Sequence, residues 1–435
     1  MFAALVGAMY LSHNPVWDDH YLIHTLKQRS IVEIWSQPVG GGDVGDAYFR
    51  PLPMSFIAFL PNVFWLKLIV TLCHCLSTLA VYRIALNHRL AAFPAALIFA
   101  VHPISSEVLG WASCLPDALA VCAGLWSVER ASKGWIFPAI LMFLGLLSKE
   151  TALLPLLGYL LIYPSRKGWF AWAIPVAGIA ALRQISGVNS SWNLSDKLEL
   201  VPLALGIQLK GLLWPFPQQP VRDLLVVSSG VALLALCGIM ALGLIVRTRP
   251  QLRLGIWLLI SPLLLSLPPT IDGYLAAERY SYMSVAGVSL VFSVLLKRWP
   301  KWLLIGAASS LLVVHWSRSE VWQSDRALFE KAVQSMPSSS YAWHFLGMVE
   351  RSEERWQPAA LAFQRAVNLG HPYPTDRELA LDSLVRSEQF TAALAWAVEG
   401  PQSGLSKHYL ELWIMAANET GNTQMAEQIS QALER

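Results

Sequence analysis

Long apolar runs, broken at short intervals by charged or turn-forming positions, fill the first three quarters of the chain. At the length a bilayer crossing requires, they predict eleven membrane spans, at 1–13, 55–86, 90–104, 108–128, 134–148, 151–163, 168–186, 223–246, 253–270, 277–296 and 300–316. The second is expected to break near Pro61. The first reads as a membrane helix and not a signal peptide, because no basic residues precede it and no small-residue cleavage site follows. A further apolar stretch, 200–217, carries Lys210 and ends in Trp214-Pro215-Phe216-Pro217, so it is read as lying along the outer interface or re-entering it.

After residue 316 the pattern changes to helical spacing with charged positions between. Leu328, Phe329 and Ala332 recur as Ala362, Phe363 and Ala366, a shift of 34 residues. Between them stand Ala342, Trp343, Leu346, Gly347, Trp356, Ala359 and Ala360. Small residues where helices cross and a large apolar residue in the pocket form the tetratricopeptide pattern. Residues 374–400 and 407–433 read as degenerate further hairpins, which must stack to bury their apolar faces. The competing reading is a small helical bundle without a groove. The fold class expected is therefore all-α: a polytopic membrane bundle over 1–316 and a soluble repeat domain over 317–435.

Composition sharpens that division. The chain is 55% hydrophobic and 14% charged, where a soluble domain carries about 25% charged residues. Residues 317–435 hold 10 Lys+Arg and 15 Asp+Glu, while the rest holds 22 and 14. The basic excess falls in short loops, around His88-Arg89, Arg130–Lys133, Arg166-Lys167, Arg247–Arg253 and Lys297–Lys301. Cytoplasmic loops are enriched in Lys and Arg, so these loops are placed inside. The loop 14–54 and the repeat domain then lie outside. The five cysteines, Cys73, Cys75, Cys114, Cys122 and Cys237, all sit in apolar runs without zinc-like spacing, which points to core packing.

The expected outer face gathers polar groups that its apolar neighbours do not explain. Asp18 and Asp19, with Trp17 before and His20 after, follow the first span. Adjacent carboxylates near a membrane need a proton, a cation or hydrogen-bond donors. One of them could serve as a general base while the other orients a group or holds a divalent ion. The structural alternative is an N-cap for a helix over 20–28. Arg50, in Tyr48-Phe49-Arg50-Pro51-Leu52, has a planar fork suited to phosphate oxygens, or could snorkel to headgroups. His102, Glu107, Trp111 and Asp117 follow in one short turn, with His102 and Glu107 expected close together. Lys149-Glu150 and Glu278-Arg279-Tyr280 complete five loops carrying ionisable residues at one surface. Cationic Arg50, Lys149 and Arg279 could receive a phosphate, and acidic members could activate a nucleophile. Each Lys-Glu or Glu-Arg neighbour pair could equally be a local ion pair.

The order of these stretches, Trp17–His20, Phe49–Leu52, His102–Trp111 with Pro116–Ala120, Ser148–Thr151 and Ala277–Met283, then a Trp-containing link into tetratricopeptide repeats, resembles a known family. It is that of the transmembrane and tetratricopeptide-repeat O-mannosyltransferases and their bacterial relatives, in the GT-C superfamily of membrane glycosyltransferases. The resemblance covers nearly the whole chain and is weakest over 187–250. It implies a GT-C-like fold and transfer of a sugar, mannose by family expectation, from a polyprenyl-phosphate carrier to a hydroxyl acceptor outside the cytoplasm. Asp18 and Asp19 would be the catalytic pair, in an inverting displacement. Arg279, Arg50 and Lys149 would receive the leaving lipid phosphate. His20, His102, Glu107, Asp117, Glu150, Glu278 and Tyr280 would line the sugar or acceptor pocket. The repeat region is much shorter than in the eukaryotic members, which favours a bacterial inner-membrane protein with its repeats in the periplasm.

The partners expected are the lipid-linked sugar, the membrane and a protein or peptide on the repeats, with no nucleic acid. Any divalent metal would sit on Asp18 and Asp19. Two other classes compete. An O-antigen ligase or polymerase would need a large later loop bearing Arg and His, whereas 187–222 is edged by Arg183 and Arg222 and has no His. A membrane-anchored repeat scaffold would need neither many spans nor charges in five loops. Three-residue glycosylation sequons at Asn189, Asn193 and Asn418 decide nothing.

Overall fold

The structure is a computed structural model that describes residues 1–39, 48–187, 200–214, 220, 222, 238, 247–267, 276–371, 373–400 and 405–433. The span read at 223–246, Cys237, Asn189 and Asn193 fall outside the described residues, as does much of 187–222. Every regular element among those described is helical, with one isolated antiparallel bridge between Val39 and Tyr48. The chain divides into two compact units, the second made up chiefly of Asp325–Arg435 with 219–226 assigned to it.

The first unit contains α1 (Phe2–Ala8), α2 (Asp19–Lys27), α3 (Ile31–Ser36), α4 (Pro51–Phe59), α5 (Val63–Asn87), α6 (Ala92–Val101), α7 (Ser105–Gly110), α8 (Leu115–Ala131), α9 (Ile136–Leu146), α10 (Leu153–Ile162), α11 (Arg166–Ile185), α12 (Val201–Leu213), α13 (Arg253–Leu265), α14 (Tyr282–Phe292) and α15 (Lys301–Val321). The reading of about eleven membrane spans is corrected. Among the described residues one helix, α5, is long and apolar enough to cross a membrane. Hydropathy counts residues, whereas crossing depends on unbroken helix. The runs at 90–104, 134–148 and 151–163 yield helices of 10, 11 and 10 residues. At 1.5 Å per residue these reach about 15–17 Å, against a hydrocarbon core of about 30 Å. The run at 1–13 yields a seven-residue helix, and 108–128 is divided by a turn at 111–114. The longer α11 and α15 carry Arg166, Lys167 and Arg183, and Lys301, Arg318 and Glu320. The run at 55–86 breaks between α4 and α5, at Leu60-Pro61-Asn62, where Asn62 caps α5 by accepting from the Phe64 N–H.

Close helix contact inside this unit depends on small residues. A Cβ on Gly287 of α14 would lie 2.2 Å from the Leu259 nitrogen of α13. The outward faces of several helices are apolar. Leu72, Leu76 and Leu79 of α5 and Ile136, Ile140 and Leu144 of α9 are exposed at spacings of three and four residues. Of the described cysteines, Cys73 and Cys114 are buried, and Cys75 and Cys122 are partly buried.

The second unit holds α16 (Asp325–Ser335), α17 (Ser340–Ser352), α18 (Trp356–Asn368), α19 (Thr375–Arg386), α20 (Phe390–Val398), α21 (Lys407–Glu419) and α22 (Thr423–Leu433). Residues 340–368, 375–398 and 407–433 are three successive helical hairpins. Their core alternates Ala359, Ala360, Ala380, Ala393 and Ala416 with Phe363, Trp396 and Trp413. Ala side chains allow helices to approach, and the aromatic rings fill the remaining space. Gly347 faces the Phe363 ring, which would lie 2.8 Å from an added Cβ.

Candidate functional site

The two adjacent aspartates have different environments. Asp19, in the first turn of α2, is buried. Its Oδ2 accepts from the Val16 and Ala112 amides, each at 3.2 Å, and its Oδ1 from the Ser113 amide at 2.7 Å and the Ser113 hydroxyl. Four donors fix the first loop against the 112–114 turn. Burial raises the Asp19 pKa, against the lowering effect of the Ser113 and Val16 donors. With its oxygens so engaged, Asp19 has little left for a divalent ion, so the aspartate pair does not fit as a metal site.

Asp18 stands at the N-cap position of α2 but makes no side-chain cap bond, so the capping alternative fails. Its side chain is open to solvent, yet protein surrounds the recess it occupies. That desolvation, with the charge of Asp19, raises its pKa to about 6, and Arg279, Ser113 and Trp111 offset part of the rise. Trp17, immediately before it, holds a φ of 58°, which is uncommon for a bulky residue. Its ring stacks on Trp111 at 4.9 Å, and Trp111 stacks on Trp322 at 6.2 Å. Gly110 permits this, since a Cβ there would meet Trp322 at 2.5 Å.

Arg279 lies over the Trp111 ring at 4.6 Å and donates to Glu107 Oε1 at 2.7 Å. Glu107 is buried, and its Oε2 accepts from the Glu278 amide at 2.7 Å. Burial raises the Glu107 pKa, against the pull of Arg279. Glu278 pairs with Arg318 of α15, whose Nε donates to the Ser106 hydroxyl at 2.8 Å. His102 and Glu107 have different partners. The His102 Nε2 lies 3.0 Å from the Leu212 carbonyl, and burial holds its pKa at about 4, so it is a neutral donor to that carbonyl.

Lys149 and Asp117, both buried, pair at 2.6 Å. Lys149 and Arg279 face the same Tyr280 ring, at 5.2 and 4.8 Å from its centroid. Glu150 lies 3.8 Å from Arg50 and 3.0 Å from Arg183. Burial would raise the Glu150 pKa, but Arg50, Lys149 and Arg183 outweigh it and hold it at about 2. Arg50 in turn lies 4.8 Å over the Tyr48 ring, and Tyr48 senses the charges of both Arg50 and Asp18. Asp18, Arg279, Tyr280, Lys149, Glu150, Arg50 and Tyr48 thus form a closed circuit of neighbours from four separate loops. His20 is exposed at its edge. A cavity of about 350 Å³ around Glu129, His88 and Tyr163 lies at the far ends of α5 and α8 and shares no residue with the circuit.

The sequence pattern groups most of these residues; Ser113, Arg318, Lys67 and the pairing of Arg183 with Glu150 emerge from the structure. Lys67 is a single lysine in the apolar run of α5, buried, and donates to the His13 and Asn14 carbonyls at 3.1 Å each. An isolated charge in an apolar run is a readable signal. Arg318 gave the same signal, three positions after His315 on α15. No family model matches the chain, and no curated protein or solved structure matches it.

Proposed function

We propose that the protein is a glycosyltransferase that moves a sugar, mannose by the resemblance, from a polyprenyl-phosphate donor to a hydroxyl acceptor on protein, at the non-cytoplasmic face of a membrane. The observation that carries this reading is the open carboxyl of Asp18, with a pKa of about 6, beside Arg279, while Asp19 is locked by four donors. A general base works best with a pKa near the working pH. Asp18 takes the proton of the acceptor hydroxyl as its oxygen attacks the anomeric carbon. The bond from that carbon to the phosphate oxygen breaks, and its electron pair leaves with the lipid phosphate. Arg279 and Arg50, with side chains 23% and 22% exposed, meet the developing charge. Lys149, buried against Asp117, adds its field through the Tyr280 ring. Glu107 holds Arg279 in place, its other oxygen accepting from the Glu278 amide. The exposed apolar stripes on α5 and α9 support contact with lipid, where such a donor resides. In a bacterium this puts the site at the periplasmic face of the inner membrane, with the repeats receiving the acceptor or a partner protein.

The test uses protein purified in detergent and a panel of radiolabelled polyprenyl-phosphate monosaccharides. Release of sugar from one donor by the parent and not by folded Asp18→Asn is expected. Equal release by both, or no turnover of any donor, overturns the assignment.

A further inference from the structure

We propose that the second unit carries a divalent transition-metal site, of the zinc class, formed by His344, His371 and Asp376. His344 lies on α17, His371 follows α18, and Asp376 sits in the first turn of α19. Three separate elements thus deliver two imidazoles and one carboxylate to one point, all three residues being buried. The Nδ1 atoms of His344 and His371 lie 2.7 and 2.8 Å from the two carboxylate oxygens, and the three ligand atoms all fall within 4.8 Å of one another. The two imidazole rings are stacked 4.5 Å apart.

A hydrogen-bonded His–Asp–His cluster is the simpler account, and it satisfies half of the group. His344 Nδ1 bonds Asp376 Oδ1. His371 does not complete the set. Asp376 Oδ2 lies 2.8 Å from its Nδ1, close enough to pair, but His371 Nε2 is buried with no hydrogen-bond partner. Buried polar atoms left in this way are rare and call for an ion or another partner. A zinc-class ion binds nitrogen and oxygen at about 2.0–2.2 Å in tetrahedral geometry, so its ligand atoms stand about 3.3–3.6 Å apart. Loading would therefore open the two short His–Asp contacts by about 0.5–0.9 Å and close the widest separation by up to about 1.5 Å, through rotation of the side chains. Two nitrogens and one oxygen suit Zn²⁺ and Co²⁺, whereas Mg²⁺ and Ca²⁺ prefer all-oxygen sets. The aromatic surround of Tyr341, Phe345, Phe363 and Tyr373 restricts water at the site. An ion there would clip the first hairpin of the repeat to the start of the second.

The experiment titrates the untagged full-length protein in detergent, first stripped with a chelator, with Co²⁺ and then Zn²⁺. One saturable Co²⁺ equivalent per chain, with visible ligand-field bands that Zn²⁺ abolishes, is expected. Zinc should raise the unfolding midpoint of the repeat unit by several degrees. His344→Gln and Asp376→Asn, checked by circular dichroism, should lose the equivalent; equal binding in either folded variant overturns the proposal. X-ray absorption of the zinc-loaded parent needs no variant. Two imidazoles and no sulfur in the first shell support the site, while sulfur ligation, fewer imidazoles or no saturable binding overturns it.

Discussion

The two units differ in how they hold their charges. In the first, both signs lie inside: Asp19, Lys67, Glu107, Lys149, Glu278 and Arg318 are buried while leucine and isoleucine stripes face outward. In the second, alanine and aromatic rings fill the core, the buried acids Glu350, Asp376 and Asp382 are met by histidines or by arginines that reach in from the surface, and pairs such as Arg326 with Glu330 and Lys407 with Glu411 lie on the rim. A repeat unit in water gains by burying apolar area and leaves charge where it is hydrated. The first unit leaves leucine and isoleucine on its surface, and its interior holds a network of ions that position one another. Stability in the first unit therefore depends on partnership, and in the second on packing.

The difference can be broken most sharply at the aspartate pair. Asp18→Asn should lower turnover by about 10²–10⁴-fold, measured with the labelled donor, and leave the fold intact because its side chain is open. Asp19→Ala should instead lose the fold, since four donors lose their acceptor together; thermal denaturation separates the two outcomes.

Breaking a buried pair comes next. Glu278→Gln leaves Arg318 uncompensated and should cost about 3–5 kcal/mol in denaturant unfolding. The pH profile gives an intermediate effect. Asp18 must be ionised to accept a proton, so activity should fall about tenfold per pH unit below about 6. Arg279 lowers that pKa, so Arg279→Gln should move the acidic limb upward in whatever activity remains. Stability follows the reverse sign. The folded pKa is raised from 3.8, so the folded state binds this proton more tightly, and the group's contribution declines as pH rises from about 4 to about 6.

In the second unit, Gly347→Ala would press a methyl group against Phe363 and should cost about 1–3 kcal/mol by chemical denaturation. Lys407→Ala removes a pair whose side chains are 77% and 50% exposed, and should change stability by under about 0.5 kcal/mol. A larger loss there would undo the contrast between the units.

The repeat hairpins were legible because each is a local pattern. The period that relates Phe329 to Phe363 also determines which faces pack, and nothing distant has to be known. The candidate site was legible in its membership and not in its wiring. Asp18 and Asp19 are indistinguishable as letters. What separates them is the set of backbone donors, the Val16, Ala112 and Ser113 amides, two of them more than 90 positions away, that bond Asp19. His102 and Glu107 are close in sequence but face Leu212 and Arg279, respectively. The span count failed for a different reason. Apolar composition continues across the turn at 111–114, and hydropathy does not register a helix that stops.

The circuit around Asp18 also bears on time. Its first member is residue 18 and its last are residues 279 and 280. A ribosome adding about 5–20 residues per second needs roughly 13–50 s to cover the interval. Until then Glu107 lacks Arg279, and Asp18 lacks the cation that lowers its pKa. The growing chain therefore carries the Asp18 carboxyl without its counterpart, and any product ending before residue 279 would leave the circuit open however well its early helices had formed.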